Sequence, residues 1–303
     1  MSDTVRFFRE TLPLHRTASG AAYELDVWTY AHPQATQRVY LQGGLHGIEL
    51  TGIPVLHEFM REIEERQLPL HCICTPQSNP MGLDSQIMGQ QVGYNNLHTN
   101  QQNCWNWNRI GQLRDEPSQE GRWIRTLLDL SAAADVVLDL HTAGGENTPH
   151  IYAHLSQIEQ AQGLGVPHVL AWEAHSTSFS DTCQARGQVA LTFELSASRS
   201  VTQADIDRGL NALRRFFGIL PKTEDSRIWQ IRTQLKKWYA PEPGILCWRV
   251  AAGTEVRAGE PIATLYTRNG PEPLKSPYSG VLLLKNPIHA PHEHQELAKF
   301  LVV

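Results

Sequence analysis

Two histidines each stand at the end of a buried-looking strand, and that repeated context constrains the chain more than any other feature. The first lies in Gly43-Gly44-Leu45-His46-Gly47-Ile48-Glu49, after Arg38 to Gln42; the second lies in Asp139-Leu140-His141-Thr142, closing the apolar run Ala134 to Leu140. His46 and Glu49 are three residues apart, so at the mouth of a helix their side chains share one face. His141, from another strand end, completes a set of two histidines and one carboxylate. Three such ligands leave the fourth position of a zinc ion open, the arrangement of a catalytic rather than a structural site. A blander reading makes His46 a capping residue and Glu49 a helix-start charge favoured by the dipole. The glycines flanking His46, the recurrence of the strand-then-His context and a carboxylate further on at Glu194 favour the metal.

Composition narrows the class. With 303 residues and 41% hydrophobic content, the chain has material for one large domain and a small one. A net charge of -5 with no basic stripe argues against nucleic acid and anionic membranes as partners. Met1 to Glu10 is charged and lacks the apolar core of a secretory signal, and no apolar run approaches the roughly 20 residues of a membrane helix. Cys72, Cys74, Cys104, Cys183 and Cys247 are an odd, scattered set, which fits a reducing cytoplasm better than a disulfide framework. Cys72 and Cys74 alternate along a strand and read as small core residues. A homo-oligomer is compatible with this composition.

Strands are predicted over Tyr23 to Tyr30, Val39 to Gln42, Leu70 to Thr75, the His141 segment, Val166 to Leu170 and Val189 to Leu195. Helices are predicted over Gly52 to Glu65, Glu120 to Leu130 and Thr202 to Phe217, each with apolar residues at amphipathic spacing. This alternation gives an α/β fold class with a mixed sheet in three layers. Met81 to Asn108 is rich in Gly, Asn and Gln and reads as a functional loop. After Leu220-Pro221 the pattern turns to short strands between Gly and Pro turns, so the expected division is a catalytic domain over 1–225 and an all-β domain over 226–303. Gly253-x-x-Val256-x-x-Gly259 followed by Ile262 resembles the barrel-sandwich fold of biotinyl and lipoyl carriers. The tip at Thr267-Arg268-Asn269-Gly270 has no lysine to modify, so a packing or lid role is expected instead.

Taken in order, Gly43-Gly44-x-His46-Gly47-x-Glu49, Asn79-Pro80-x-Gly82, Asn108-Arg109, Asp139-x-His141-Thr142 and Glu194 resemble the succinylglutamate desuccinylase/aspartoacylase family, a branch of the zinc carboxypeptidases. The resemblance implies a metallocarboxypeptidase-like catalytic domain, hydrolysis of an amide, and one zinc ion on His46, Glu49 and His141. It makes Glu194 the general base and acid. The apolar run Leu191 to Leu195 around Glu194 agrees, since an unpartnered carboxylate there would be costly. Arg109 would meet substrate charge or the developing oxyanion, and Asn79 and Asn108 would contact substrate. Asp139 is placed either to orient a histidine or to face solvent. One departure stands out: from Met81 to Asn108 there is no Arg or Lys, where the family carries a second substrate-gripping arginine. Gln86, Gln90, Tyr94 and His98 are the polar groups there, with Arg186 and Arg199 as alternatives elsewhere. The remaining histidines, His150 and His154 included, read as structural rather than as a second metal site.

The function expected is zinc-dependent deacylation of an N-acyl amino acid or related small amide. A carboxypeptidase acting on a C-terminal peptide bond, and a non-catalytic binding module on the same fold, are the alternatives.

Overall fold

The computed structural model describes residues 5–303 except 17, 85, 88–89, 92–95, 101–102, 110–113, 116, 144, 174–175, 197–199 and 224–225, with no side chains for 86–105. A nine-stranded mixed sheet forms its centre. In chain order the strands are β1 (Arg6–Arg16), β2 (Ala22–Ala31), β3 (Gln37–Gly43), β4 (Leu70–Thr75), β5 (Val136–Thr142), β6 (His150–His154), β7 (His168–Trp172), β8 (Val189–Leu195) and β9 (Arg227–Gln230). Across the sheet the order is β1-β2-β4-β3-β5-β8-β6-β7-β9. The central strands β4, β3, β5 and β8 run parallel, while β6 lies antiparallel to β8.

The main helices covering the two faces are α1 (Gly52–Glu65), α2 (Gln119–Ser131), α3 (Phe179–Gln184) and α4 (Gln203–Phe216). Val39, Leu41, Leu138 and Phe193 point into the layer of α1 and α4, where Val55, Phe59, Ile63 and Leu213 meet them. Their neighbours Tyr40, Val137 and Ala190 point the other way, onto Trp123, Leu127 and Phe179 of α2 and α3. Strands buried on both faces explain the near-continuous apolar runs in the sequence. The alternation also places Asp139 and His141 of β5 on the α2/α3 side, the side on which the site opens. Cys72 and Cys74 are fully buried in the α1 layer.

Beyond β9 the chain builds two antiparallel sheets. One contains Leu235–Tyr239, Glu255–Val256, β10 (Gly280–Lys285) and β11 (Glu296–Val302); the other contains Ile245–Trp248, Pro261–Thr267 and Gly270–Lys275. The two halves share strands. The short segment Glu146–Asn147, which follows β5, pairs with β10, and β9 is itself the edge of the large sheet beside β7. Leu170 and Trp229 from the large sheet pack with Val281, Leu283 and Leu301 across the seam. Among the described residues no helix is long and apolar enough to cross a membrane.

Candidate active site

Strands β3, β5 and β8 end side by side, and the candidate residues lie at their C-terminal ends, where open α/β sheets characteristically bind ligands. β3 runs into Gly44, which adopts φ +63° and turns the chain sharply away from the sheet. His46 and Glu49 then sit in a turn closed by the Glu49 N–H donating to the His46 carbonyl at 3.0 Å. Both precede α1, so a turn rather than a helical face brings them together. A Cβ on Gly47 would lie 2.2 Å from the carbonyl carbon of Gly82, so glycine is required for the ligand loop to pack against its neighbour.

His46 Nδ1 lies 3.1 Å from one oxygen of Glu49, and His141 Nδ1 lies 2.9 Å from the other. One ligand atom from each of the three residues can be chosen so that all lie within 4.8 Å of one another. The outer ring nitrogens are held from behind. Nε2 of His46 is 3.0 Å from Asn106 Oδ1, and Nε2 of His141 is 2.8 Å from Asp139 Oδ2. Held outwards through Nε2, each ring leaves its Nδ1 facing Glu49 at the centre, where a metal ion would take the Nδ1 lone pair in place of the contact with the carboxylate. Asp139 is fully buried and also accepts a bond from Gln42 Nε2 at 2.8 Å, so it orients His141 and does not face solvent.

The electrostatics of the cluster favour a cation. Burial would raise the Glu49 carboxyl, but His46 and His141 outweigh it and hold it down at about 2. Burial would lower His141, yet Asp139 and Glu49 overcome it and raise the ring well above the usual histidine value. Two nitrogen lone pairs and a carboxylate, backed by a second buried carboxylate, are a donor set that fits zinc.

Glu194 stands in register with His141 on one side and His150 on the other, three side chains in a row across β5, β8 and β6. Its Oε2 is buried and has no hydrogen-bond partner among the described residues. Burial and the nearby Glu49 charge push its carboxyl up to about 7, against the opposing pull of His141, His46 and Lys299. A carboxyl so placed can hold or release a proton near neutrality.

These groups open into a cavity of about 400 Å³. Asn108 and Arg109 are on its wall, as is Asn106. The Arg109 side chain is anchored by a 2.9 Å bond from Nη1 to the Asn108 carbonyl. Asn108 Oδ1 accepts from the Phe179 N–H at 2.8 Å, fixing the start of α3 to the site. Asn79 is not brought to the cavity wall. It is fully buried, its amide donating to the Leu45 carbonyl at 3.1 Å and accepting from the Gly82 N–H at 2.8 Å, so it ties the ligand loop to the next one. Arg186 is also elsewhere, donating to the Leu128 carbonyl at 2.9 Å. The side chains of Gln86, Gln90, Tyr94, His98 and Arg199 lie outside the described residues.

Asn106 went unread in the sequence, although it sits two residues before Asn108. Its Oδ1 takes both the His46 ring and the Asn108 N–H, at 3.0 and 2.8 Å. The pattern Asn-x-Asn-Arg at 106–109 was the available signal.

The family model of the succinylglutamate desuccinylase/aspartoacylase catalytic domain matches residues 35–220. Among solved structures, a succinylglutamate desuccinylase/aspartoacylase family protein from Shewanella amazonensis superposes with a TM-score of 0.85 at 21% identity, covering 97% of this chain and 98% of its own. The product-bound ectoine utilization protein EutE (DoeB) from Ruegeria pomeroyi gives 0.77 at 18% identity, over 100% and 96%. A succinylglutamate desuccinylase/aspartoacylase from Rhodobacter sphaeroides gives 0.75 at 19% identity, over 99% and 96%. Among curated proteins none matches the sequence. At these identities the structural likeness is one of fold.

Proposed function

Because the chain belongs to the succinylglutamate desuccinylase/aspartoacylase family, whose members hydrolyse amide bonds to release an acyl group, we propose that it is a zinc-dependent deacylase of an N-acyl amino acid or related small amide. The observation that carries the reading is Glu194: a half-buried carboxylate whose Oε2 is buried with no hydrogen-bond partner among the described residues, in register with a histidine of the His46–Glu49–His141 cluster and facing the same cavity.

His46 and His141 through Nδ1, and Glu49 through its carboxylate, would hold the metal. When bound there, zinc supplies Lewis acidity for the attack of water on the scissile carbonyl. Glu194 takes the proton of the attacking water on its free oxygen and returns it to the leaving nitrogen. The value of about 7 set by its burial suits a group that must both accept and give. Arg109 offers a guanidinium fork to the developing oxyanion or to a substrate carboxylate. Asn106 and Asp139 keep the two rings from turning, and Asn108 fixes the start of α3 against them.

The cavity wall supports a small substrate over a peptide, since Leu235, Leu283, Leu284 and Lys299 of the C-terminal sheets line one side of it. The test is metal analysis of the purified protein together with hydrolysis of a panel of N-acyl amino acids and short peptides. About one zinc per chain and turnover of N-acyl amino acids is expected. Cleavage of peptides alone would replace the reading with a carboxypeptidase. No turnover even with added zinc would leave a binding module.

A further inference from the structure

The substrate cavity is built from both halves of the molecule, and its arginine and lysine come one from each. Among the described residues lining it, Arg109 belongs to the Asn-Arg pair beside the metal cluster, and Lys299 belongs to β11. Lys299 stands in register with Leu284 of β10, and both line the cavity. Two other lysines of this sheet are paired, Lys237 with Glu296 at 2.7 Å and Lys285 with Glu146 at 2.5 Å, whereas Lys236, like Lys299, has no ion pair among the described residues but does not line the cavity. Lys299 is half-buried and has no ion pair among the described residues, an unfavourable state for an ammonium unless an anion comes to it.

Its surroundings define what that anion carries. His150 and Tyr152 of β6 touch edge to face with centroids 5.1 Å apart, and Tyr152 stacks on Trp172 at 5.6 Å. These rings line the cavity with Leu284 and Lys299. Burial keeps His150 neutral, its value lowered to about 4, so no second cation competes for the ligand there. The wall therefore offers one lysine charge among aromatic and aliphatic side chains, with Thr192 and the Glu194 carboxylate on its inner side.

We propose that Lys299 is the specificity-determining residue that grips a substrate carboxylate on the β-sheet side of the cavity, in place of the arginine absent between Met81 and Asn108. This rests on the deacylase reading for the identity of the ligand, an acylated amino acid with a free carboxylate. It leaves Arg109 free for the reacting carbonyl. A competing role is electrostatic: Lys299 lies close enough to lower Glu194, and could serve only to tune the base. The two roles differ in what they do to substrate choice.

The test compares wild type, Lys299→Met and Lys299→Arg on N-succinyl and N-acetyl amino acids, each beside analogues with single carboxylates converted to carboxamides. An anchor predicts that one particular carboxylate loses at least about ten-fold of its advantage over its carboxamide in Lys299→Met, chiefly through KM. Lys299→Arg should recover most of it. A tuning role predicts an equal loss on every substrate with a displaced pH profile, and would overturn the proposal. Calorimetric titration of N-acetyl-L-aspartate and of succinate into zinc-loaded Glu194→Gln, with and without Lys299→Met, reads binding without turnover. If wild type hydrolyses none of the panel, the deacylase reading fails while the titration still decides on Lys299. Weaker binding in the double variant by ten-fold or more supports the anchor; equal binding, or no binding of either compound, overturns it. Should Lys299→Met not fold, Lys299→Gln is measured in its place.

Discussion

Asp139 and His141 lie two residues apart on one strand, and the carboxylate of the first meets Nε2 of the second at 2.8 Å inside the fully buried layer beneath the site. The contact does not end there. Asp139 also takes the amide of Gln42, whose own oxygen accepts from the Tyr40 hydroxyl at 3.1 Å, and Tyr40 reaches Thr75 at 2.8 Å. One polar chain across β4, β3 and β5 thus sets the angle of a ring in the candidate metal cluster.

Asp139→Asn keeps the shape and removes the charge that makes His141 present Nδ1 to the centre. Groups that orient metal ligands in this way typically contribute about 10- to 100-fold in affinity or activity. Zinc affinity should fall by that much with the fold intact, as measured by competition with a chromogenic chelator. Wild-type affinity in the variant would mean that packing alone holds the ring.

Glu194→Gln separates proton transfer from metal binding. With its accepting oxygen lost, kcat should drop by about 100- to 10,000-fold while zinc content stays at the wild-type level. His46→Ala and His141→Ala should instead lose zinc and activity together. Metal analysis beside steady-state kinetics distinguishes the two patterns, and near-normal turnover in Glu194→Gln would remove Glu194 from the mechanism.

Gly47→Ala tests the ligand loop. The new methyl would meet the Gly82 carbonyl carbon at 2.2 Å, a clash with backbone that no rotamer relieves. Overpacking of this kind typically costs about 1–3 kcal/mol. A lowered Tm should be accompanied by weakened zinc binding, since His46 and Glu49 flank the site of strain. Unchanged calorimetric Tm and metal affinity would show that the two loops can part freely.

Acid should destabilise the fold through His150 and His168, both lowered by burial from 6.5 to about 4. The Trp229 indole N–H donates to Nδ1 of His168 at 3.3 Å, which requires a lone pair there. A depressed histidine means that the unfolded chain binds the proton first. The stabilisation is therefore complete above about pH 6.5, declines as pH falls towards 4, and levels off below that. For the fully buried His150 the loss is on the order of 3 kcal/mol. Denaturant unfolding across this range, compared with His150→Gln, should show part of the slope vanish in the variant. Parallel slopes would indicate that His150 is already charged in the folded protein.

Much of the fold was legible because the central strands are buried on both faces and read as unbroken apolar runs. The helices over 52–65 and 203–216 were equally plain from their spacing. β1 was not. An edge strand needs only one apolar face and tolerates charge and proline, so Arg6, Arg9, Glu10 and Pro13 masked an 11-residue strand, irregular just after Pro13. His150–His154 was ambiguous for a similar reason: histidines after Pro149 carry no strand signature, and only pairing with β7 and β8 makes them one. In the site, His46, Glu49 and His141 announced themselves because each ends a recognisable strand or begins a turn. Asn106 and Lys299 did not, because their proximity to the site is a product of long-range topology. Arg186 appeared available in sequence, but the fold commits it to the Leu128 carbonyl.

The strand exchange between the two halves sets a limit on how relatives of this protein could be recombined. A junction at 225 looks natural in the sequence, yet it would hand Glu146–Asn147 to one parent and the β10 edge it pairs with to the other. The same cut would supply β9 from one parent to the large sheet of the other. A chimaera joined there inherits two mismatched ladders and a cavity wall chosen for someone else's substrate, so the catalytic and C-terminal parts are not interchangeable cassettes.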